Sequence, residues 1–155
     1  MPLTPPERDV SGLALPHDHP QISGDDLVVR RISRIAASQN IVTAKNGGTR
    51  LSSAILSASS RESDPYEGIS VDLDEVAREE GIDLRSQIMS ADFVGAVCVR
   101  AASIRGEQLS VGYDPEPANV CHGQIWGNPS GKRRKRLLRC CAWYIEIDGV
   151  SLDVD

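Results

Sequence analysis

The densest charge in this 155-residue chain is KRRKRLLR, Lys132 to Arg139, which gathers six of its 17 basic residues. Without those six, 11 basic residues face 22 acidic ones, so a protein with a formal net charge of −5 keeps its positive field in one place. Leu137, Leu138, Cys141, Ala142 and Ile145 recur at helical spacing and predict an amphipathic helix from Lys132 to Tyr144. Its early cations would then crowd the positive end of the helix dipole, a conflict of about 0.3–1 kcal/mol per exposed charge that a bound anion relieves. Lys132, Arg133, Arg134 and Arg136 are therefore candidate phosphate contacts for a nucleotide or a nucleic acid. Short basic runs also serve as solvated surface, so the alternative is a helix face that binds nothing.

A second constellation is spread along the chain. Arg30 and Arg31 lie in the β-branched run LVVRRI, Ser52 and Ser53 follow an Asn-Gly-Gly turn, and His122, Gln124 and Trp126 alternate onto one face of a predicted strand. Arginine forks suit phosphate, and a strand presenting an imidazole beside an amide suits proton transfer or substrate orientation. His122 and Gln124 are the candidate catalytic pair, and Arg30, Arg31, Ser52 and Ser53 the candidate ligand contacts. Read structurally, the serines cap turns, the arginines pair with acids and the histidine fills a polar contact in the sheet.

Other motifs fail on spacing. Gly127 to Arg133 (GNPSGKR) imitates a P-loop, but three residues separate its glycines where four are needed, and Arg133 stands where Ser or Thr would reach magnesium. His122 with Cys121, Cys140 and Cys141 lacks the separation of zinc ligands, since neighbours on a strand point to opposite faces. No metal site is expected on that basis. No sequence signature names a cofactor or fixes a reaction.

These residues require a domain to position them. At 155 residues the chain can bury a core without disulfide or metal staples, and with aromatics at 4% that core rests on Val, Ile, Leu and Ala. The four cysteines are too irregular for a disulfide framework, so thiols reduced and mostly buried are expected. There is no apolar run of membrane-spanning length and no signal-peptide pattern in the early residues, which leads to the expectation of a cytoplasmic protein without a membrane partner. Residues 1–24 carry five prolines without periodicity and read as a flexible arm, with His17 and His19 exposed on it and a protein partner as its natural use. The domain proper is 25–155.

Within it, strands are expected at Leu27–Ile32, Ile41–Thr43, Ile69–Asp72 and Val120–Trp126, with a hairpin joining Phe93–Ile104 to Gln108–Tyr113. Arg50–Ser60 fits neither strand nor helix cleanly. A helix capped by Asp72 or Asp74 should stop at Gly81, and Asp148-Gly149 should close a terminal hairpin. The sum is an α+β domain with a mostly antiparallel sheet and two or three helices, the last one basic and amphipathic.

The order RRI, RLSSA, ISVD, NVCHGQIWG, RRKRLLR resembles a group of small uncharacterised bacterial proteins, over about four fifths of the chain. It is also distantly similar to ADP-ribosyltransferase-type folds. That resemblance implies a dinucleotide held by Arg30 or Arg31, Ser52 or Ser53 behind its ring, and His122 or Gln124 at the catalytic strand. No Glu occupies that last position. Three functions thus stand side by side: a nucleotide- or nucleic-acid-binding domain, an ADP-ribosyltransferase-like enzyme or toxin-type effector, and a non-enzymatic interaction module.

Overall fold

The computed structural model describes residues 2–154. In chain order the elements are β1 (Leu27–Ser33), α1 (Arg34–Asn40), β2 (Ile41–Thr43), β3 (Thr49–Leu51), a 3-10 turn (Ser53–Leu56), β4 (Ile69–Leu73), α2 (Asp74–Glu79) and α3 (Leu84–Ser90). They continue with β5 (Phe93–Arg100), α4 (Ala101–Gly106), β6 (Ser110–Tyr113), β7 (His122–Trp126), α5 (Gly131–Arg139), β8 (Ala142–Ile145) and β9 (Val150–Ser151). The main sheet is antiparallel with strand order β6-β7-β4-β1-β5-β8, and β2-β3-β9 form a small second sheet. This is an α+β fold with a mostly antiparallel sheet, in which the described residues form five short helices where two or three were expected.

The six-stranded sheet is joined weakly at its centre. β1 follows β5 along its whole length, from Leu27↔Arg100 to Ser33↔Phe93, and β4 follows β7 from Ile69↔Ile125 to Asp72↔His122. β1 and β4 meet only at Val28↔Leu73 and Val29↔Asp72. Beyond that point the Arg30 guanidinium stands in for the missing ladder, donating to the carbonyls of Ser70 at 2.8 Å and Ile55 at 3.1 Å. Ser70 is exposed in the middle of a central strand because the sheet opens there. Val28, Ile32, Ile69, Val71 and Ile125 share one buried core with Ile55 and Leu56 of the 3-10 turn and with Leu137 and Leu138 of α5, which lies against that turn.

Four expectations from the sequence require correction. The last helix stops at Arg139, and Ala142–Ile145 forms edge strand β8, because its Trp143, Tyr144 and Ile145 suit a place beside β5. No hairpin joins β5 to β6: the alanine-rich start of α4 turns the chain helical, and β6 pairs with β7 at the opposite edge of the sheet. Neither Asp72 nor Asp74 supplies a side-chain cap to α2, since Asp72 is tied to Arg31 and Asp74 accepts the Tyr144 hydroxyl. The chain turns at Gly149 (φ +77°), but β9 adds parallel to β3 and closes no hairpin. The Asn46-Gly47-Gly48 turn does join β2 to β3, with Gly47 at φ +87° and the Asn46 side chain accepting from the Gly48 amide. Arg50–Ser60 divides into the end of β3 and the capped 3-10 turn.

Residues 2–24 are irregular, as five prolines dictate, yet they are laid against the domain. Along the outer edge of β6 the His19 amide donates to the Val111 carbonyl, the Val111 amide to the Asp18 carboxylate, and the Tyr113 amide to His17 Nε2, at 2.8, 3.0 and 3.0 Å. An open strand edge is thereby sealed. His19 is buried and His17 partly so, which corrects their reading as exposed residues. Cys98 and Cys121 are buried, Cys141 half-buried and Cys140 exposed, all as free thiols. Among the described residues no helix is long and apolar enough to cross a membrane.

Candidate functional site

Where β1 and β4 part, a cleft of about 860 Å³ opens, a volume that suits a small organic ligand. Ser70 of β4 and Gln124 and Trp126 of β7 form its floor, beside Arg30 and Arg31 of β1. The loop after the 3-10 turn contributes Ser57, Ser59, Ser60, Arg61, Ser63 and Tyr66 to one wall. Ser33, Ala36, Gln39 and Phe93 make the other, Asp114 and Glu116 close one end, and Leu13 and Ala14 reach over from the N-terminal segment.

Arg30 is the unusual group. Two of its N–H donors hold backbone carbonyls, and among the described residues it takes part in no ion pair. A guanidinium has five donors, so three remain for a ligand. Burial lowers its pKa and the nearby Arg61 lowers it further, so the cation is held where charge is disfavoured and no acid compensates it. Arg31, its neighbour, is spent differently. It grips Asp72 through Nε at 2.6 Å and Nη2 at 3.2 Å, reaches Gln87 Oε1, and lies 5.3 Å from the centre of the Phe93 ring. Asn119 completes the shell of Asp72 at 2.7 Å, so Arg31 lines the cleft as part of a structural knot.

At the other end, Gln124 donates to Asp114 Oδ2 at 3.2 Å, and His122 Nδ1 donates to the Asp114 carbonyl at 2.8 Å with Glu116 Oε1 at 3.4 Å. Burial alone would raise the Asp114 pKa, but hydrogen bonds from His122 and Gln124, the His122 charge and Arg8 outweigh it and hold the carboxyl at about 2. Burial likewise opposes protonation of His122, and its bonds to Asp114 with the charges of Glu116 and Asp114 outweigh that, so its pKa rises. The oxygen and nitrogen ligand atoms of Asp114, Glu116 and His122 lie within 4.8 Å of one another. His122 Nδ1 carries the proton it gives to a carbonyl, which cannot donate in return, so that nitrogen is unavailable to a metal. The group reads as a hydrogen-bonded charge cluster.

The structure therefore brings Arg30, Arg31 and Gln124 to one cleft, with His122 one hydrogen bond behind it. It leaves the other sequence candidates outside the lining. Ser52 caps the 3-10 turn by accepting from the Ala54 amide, and Ser53 is buried within that turn. Arg133 donates to the Glu107 carbonyl, Arg134 to the Pro129 carbonyl at 2.9 Å, and Arg136 pairs with the Glu107 carboxylate at 2.8 Å. Lys132 is exposed on the same helix, away from the cleft lining. Reading by sequence missed Arg61, Tyr66, Phe93, Asp114 and Glu116. The DPEP stretch, Asp114 to Pro117, offered a signal, because two acids held in a proline-rigid loop beside a histidine strand form a compact charge site.

No family model matches the chain, and no curated protein or solved structure shows significant similarity to it.

Proposed function

We propose that the cleft binds a nucleotide, with a phosphate seated on Arg30. The observation that carries this reading is a partly buried guanidinium at the cleft floor, fixed by two carbonyls and unpaired with any described carboxylate. Arg61 adds a second cation, the serine-rich wall supplies hydroxyl donors, and Tyr66, Phe93 and Trp126 offer apolar faces for a base. The ligand is a mononucleotide or dinucleotide and not a polymer, because α5 adds no cation to the lining and Asp64, Asp114 and Glu116 would repel a continuous phosphate backbone. Titration calorimetry with ADP at low salt tests this. Arg30→Ala should weaken binding about ten- to hundredfold, as expected for a charge-assisted hydrogen bond of about 1.5–3 kcal/mol. Arg30→Lys should not restore it, because a point charge lacks the fork. Absence of heat with the wild-type protein would sink the reading.

A second reading, turnover, rests on Glu116. It is an exposed carboxylate at the end of the cleft, beside β7, which the resemblance to ADP-ribosyltransferase-type folds would make the strand of the acidic or amide residue. An anion there could stabilise the oxocarbenium-like transition state of glycosidic cleavage. Incubation with a nicotinamide dinucleotide should then release nicotinamide from the wild type and not from Glu116→Gln. No release from the wild type removes the reading.

A further inference from the structure

The segment over the cleft is built as a closed loop on a fixed base. Thr4 donates through its amide and its hydroxyl to Gln21 Oε1, both at 2.8 Å, and the Thr4 carbonyl accepts from His19 Nε2 at 2.9 Å. The two ends of residues 5–16 are thus tied to each other, in a segment within the usual length of compact surface loops. Its base is itself anchored, through the buried side chains of His19 and Ile22 and through Arg105, which holds the Asp18 carboxylate at 3.0 Å. Pro5, Pro6 and Pro16 flank the loop, so rotation there is confined to the few torsions that proline leaves free.

Inside the loop the backbone is tied to itself at several points. The Leu15 amide donates to the Glu7 carbonyl and the Asp9 amide to the Leu13 carbonyl, at 2.9 and 2.8 Å. Asp9 Oδ1 accepts from the Ser11 amide, the Ser11 hydroxyl and the Leu13 amide. Such a unit can lift without losing its own hydrogen bonds. Its outward polar ties are few, and they reach two separate parts of the cleft lining. Tyr66 donates its hydroxyl to Asp9 Oδ2 at 2.6 Å from the serine-rich wall, while Arg8 holds Asp114 Oδ1 at 3.1 Å and the Pro115 carbonyl at 3.0 Å at the acidic end. The Tyr66 bond is the largest of the effects holding the Asp9 carboxyl at about 2, so this tie stays charged throughout the neutral range. The Arg8 contacts are exposed on the arginine side and the Tyr66 bond is part-buried, so these ties hold the loop less firmly than the base, which packs into the fold.

We propose that residues 5–16 are a flap, latched by Arg8 and Tyr66, that gates ligand entry to the cleft. The inference rests on the nucleotide reading only for what passes the gate, and the flap can be tested without it. With the flap down, Leu13 and Ala14 face the cleft and Val10 is fully exposed at the tip. With it lifted, Leu13 and Ala14 leave the cleft and the face of Trp126 turned toward it meets solvent, while His17 of the base stays 5.1 Å from its ring. Closure over a ligand would exclude water from the phosphate on Arg30 and strengthen that contact.

The experiment uses the full chain carrying Trp143→Phe, which leaves Trp126 as the sole reporter, with and without Arg8→Ala and Tyr66→Phe. In the absence of ligand, acrylamide quenching of Trp126 should rise at least twofold in the doubly unlatched protein and partway in each single variant. Val10→Ala should leave it unchanged. Stopped-flow mixing with ADP should then show association and dissociation both accelerated, about tenfold, with a smaller change in Kd. Quenching equal to that of the latched protein in all three variants overturns the flap. Raised quenching in a protein that gives no heat with ADP upholds the flap and overturns the nucleotide reading instead.

Discussion

Two groups of arginines make opposite use of one chemistry. On α5, where cationic density is highest, Arg133 and Arg134 turn back onto the carbonyls of Glu107 and Pro129, and Arg136 finds the Glu107 carboxylate. The chain's own oxygen atoms meet the conflict with the helix dipole in part, since Arg134 Nε is buried without a hydrogen-bond partner among the described residues. In the cleft, Arg30 has carbonyls enough to fix its direction and no acid to neutralise it. Local charge density is therefore a poor guide to a binding site: Arg133 and Arg134 also hold carbonyls and pair with no described acid, and what sets Arg30 apart is that the fold places it in the lining of a cleft.

The sharpest test of this contrast lies between adjacent residues. Arg31→Ala should be the most damaging substitution, because it strands Asp72, whose side chain is 2% exposed, without its guanidinium. Breaking such a pair costs about 3 kcal/mol, and a urea melt should show it as a lowered midpoint. Arg30→Ala frees the carbonyls of Ser70 and Ile55, so it should cost about 1–2 kcal/mol, less than Arg31→Ala, and remove ADP binding. If the two variants exchange these behaviours, the assignment of Arg31 to structure and Arg30 to ligand is wrong.

That division was half legible in the sequence. LVVRRI announces a strand and two arginines, and strand alternation places them on opposite faces. Which one meets an acid depends on β4 lying alongside, with Asp72 opposite Val29, and on the sheet parting one residue later. Neither follows from local pattern. The same limit explains α5: the 3.6-residue period through Leu137 and Leu138 was readable, but Trp143 and Ile145 are taken by the edge of β5. His122 and Gln124 could be placed on one face of a strand because alternation on a strand is local. Asp114 and Glu116 were not, because they reach the site from the loop after β6, a strand whose partner and edge only the folded topology decides.

A smaller, pH-dependent effect should mark the acidic end of the cleft. His122 has a raised pKa, so its contribution to stability is fully present below the ordinary value of 6.5 and is lost as pH rises through the folded-state value. Asp114 is held at about 2, below its ordinary 3.8, so its contribution is present above 3.8 and is lost as pH falls toward 2. His122→Gln should therefore cost most stability between about pH 4 and 6.5, and the gap from the wild type should narrow at higher pH. Urea midpoints at pH 5, 7 and 9 measure it, and a gap independent of pH would leave the histidine only a packing role.

The least effect on ligand binding is expected where the sequence concentrates most positive charge. Replacing Arg133, Arg134 and Arg136 together by Ala removes the ties from α5 to Glu107 and Pro129, and should lower stability by about 1–2 kcal/mol. Affinity for ADP should stay within twofold, since none of the three lines the cleft. The substitution also bears on nucleic-acid binding: if the wild type holds duplex DNA or RNA at low salt and the triple variant does not, the helix releases its arginines to phosphate. The ion pair of Arg136 with Glu107 argues against that outcome, because a phosphate there would have to compete with a carboxylate already in place.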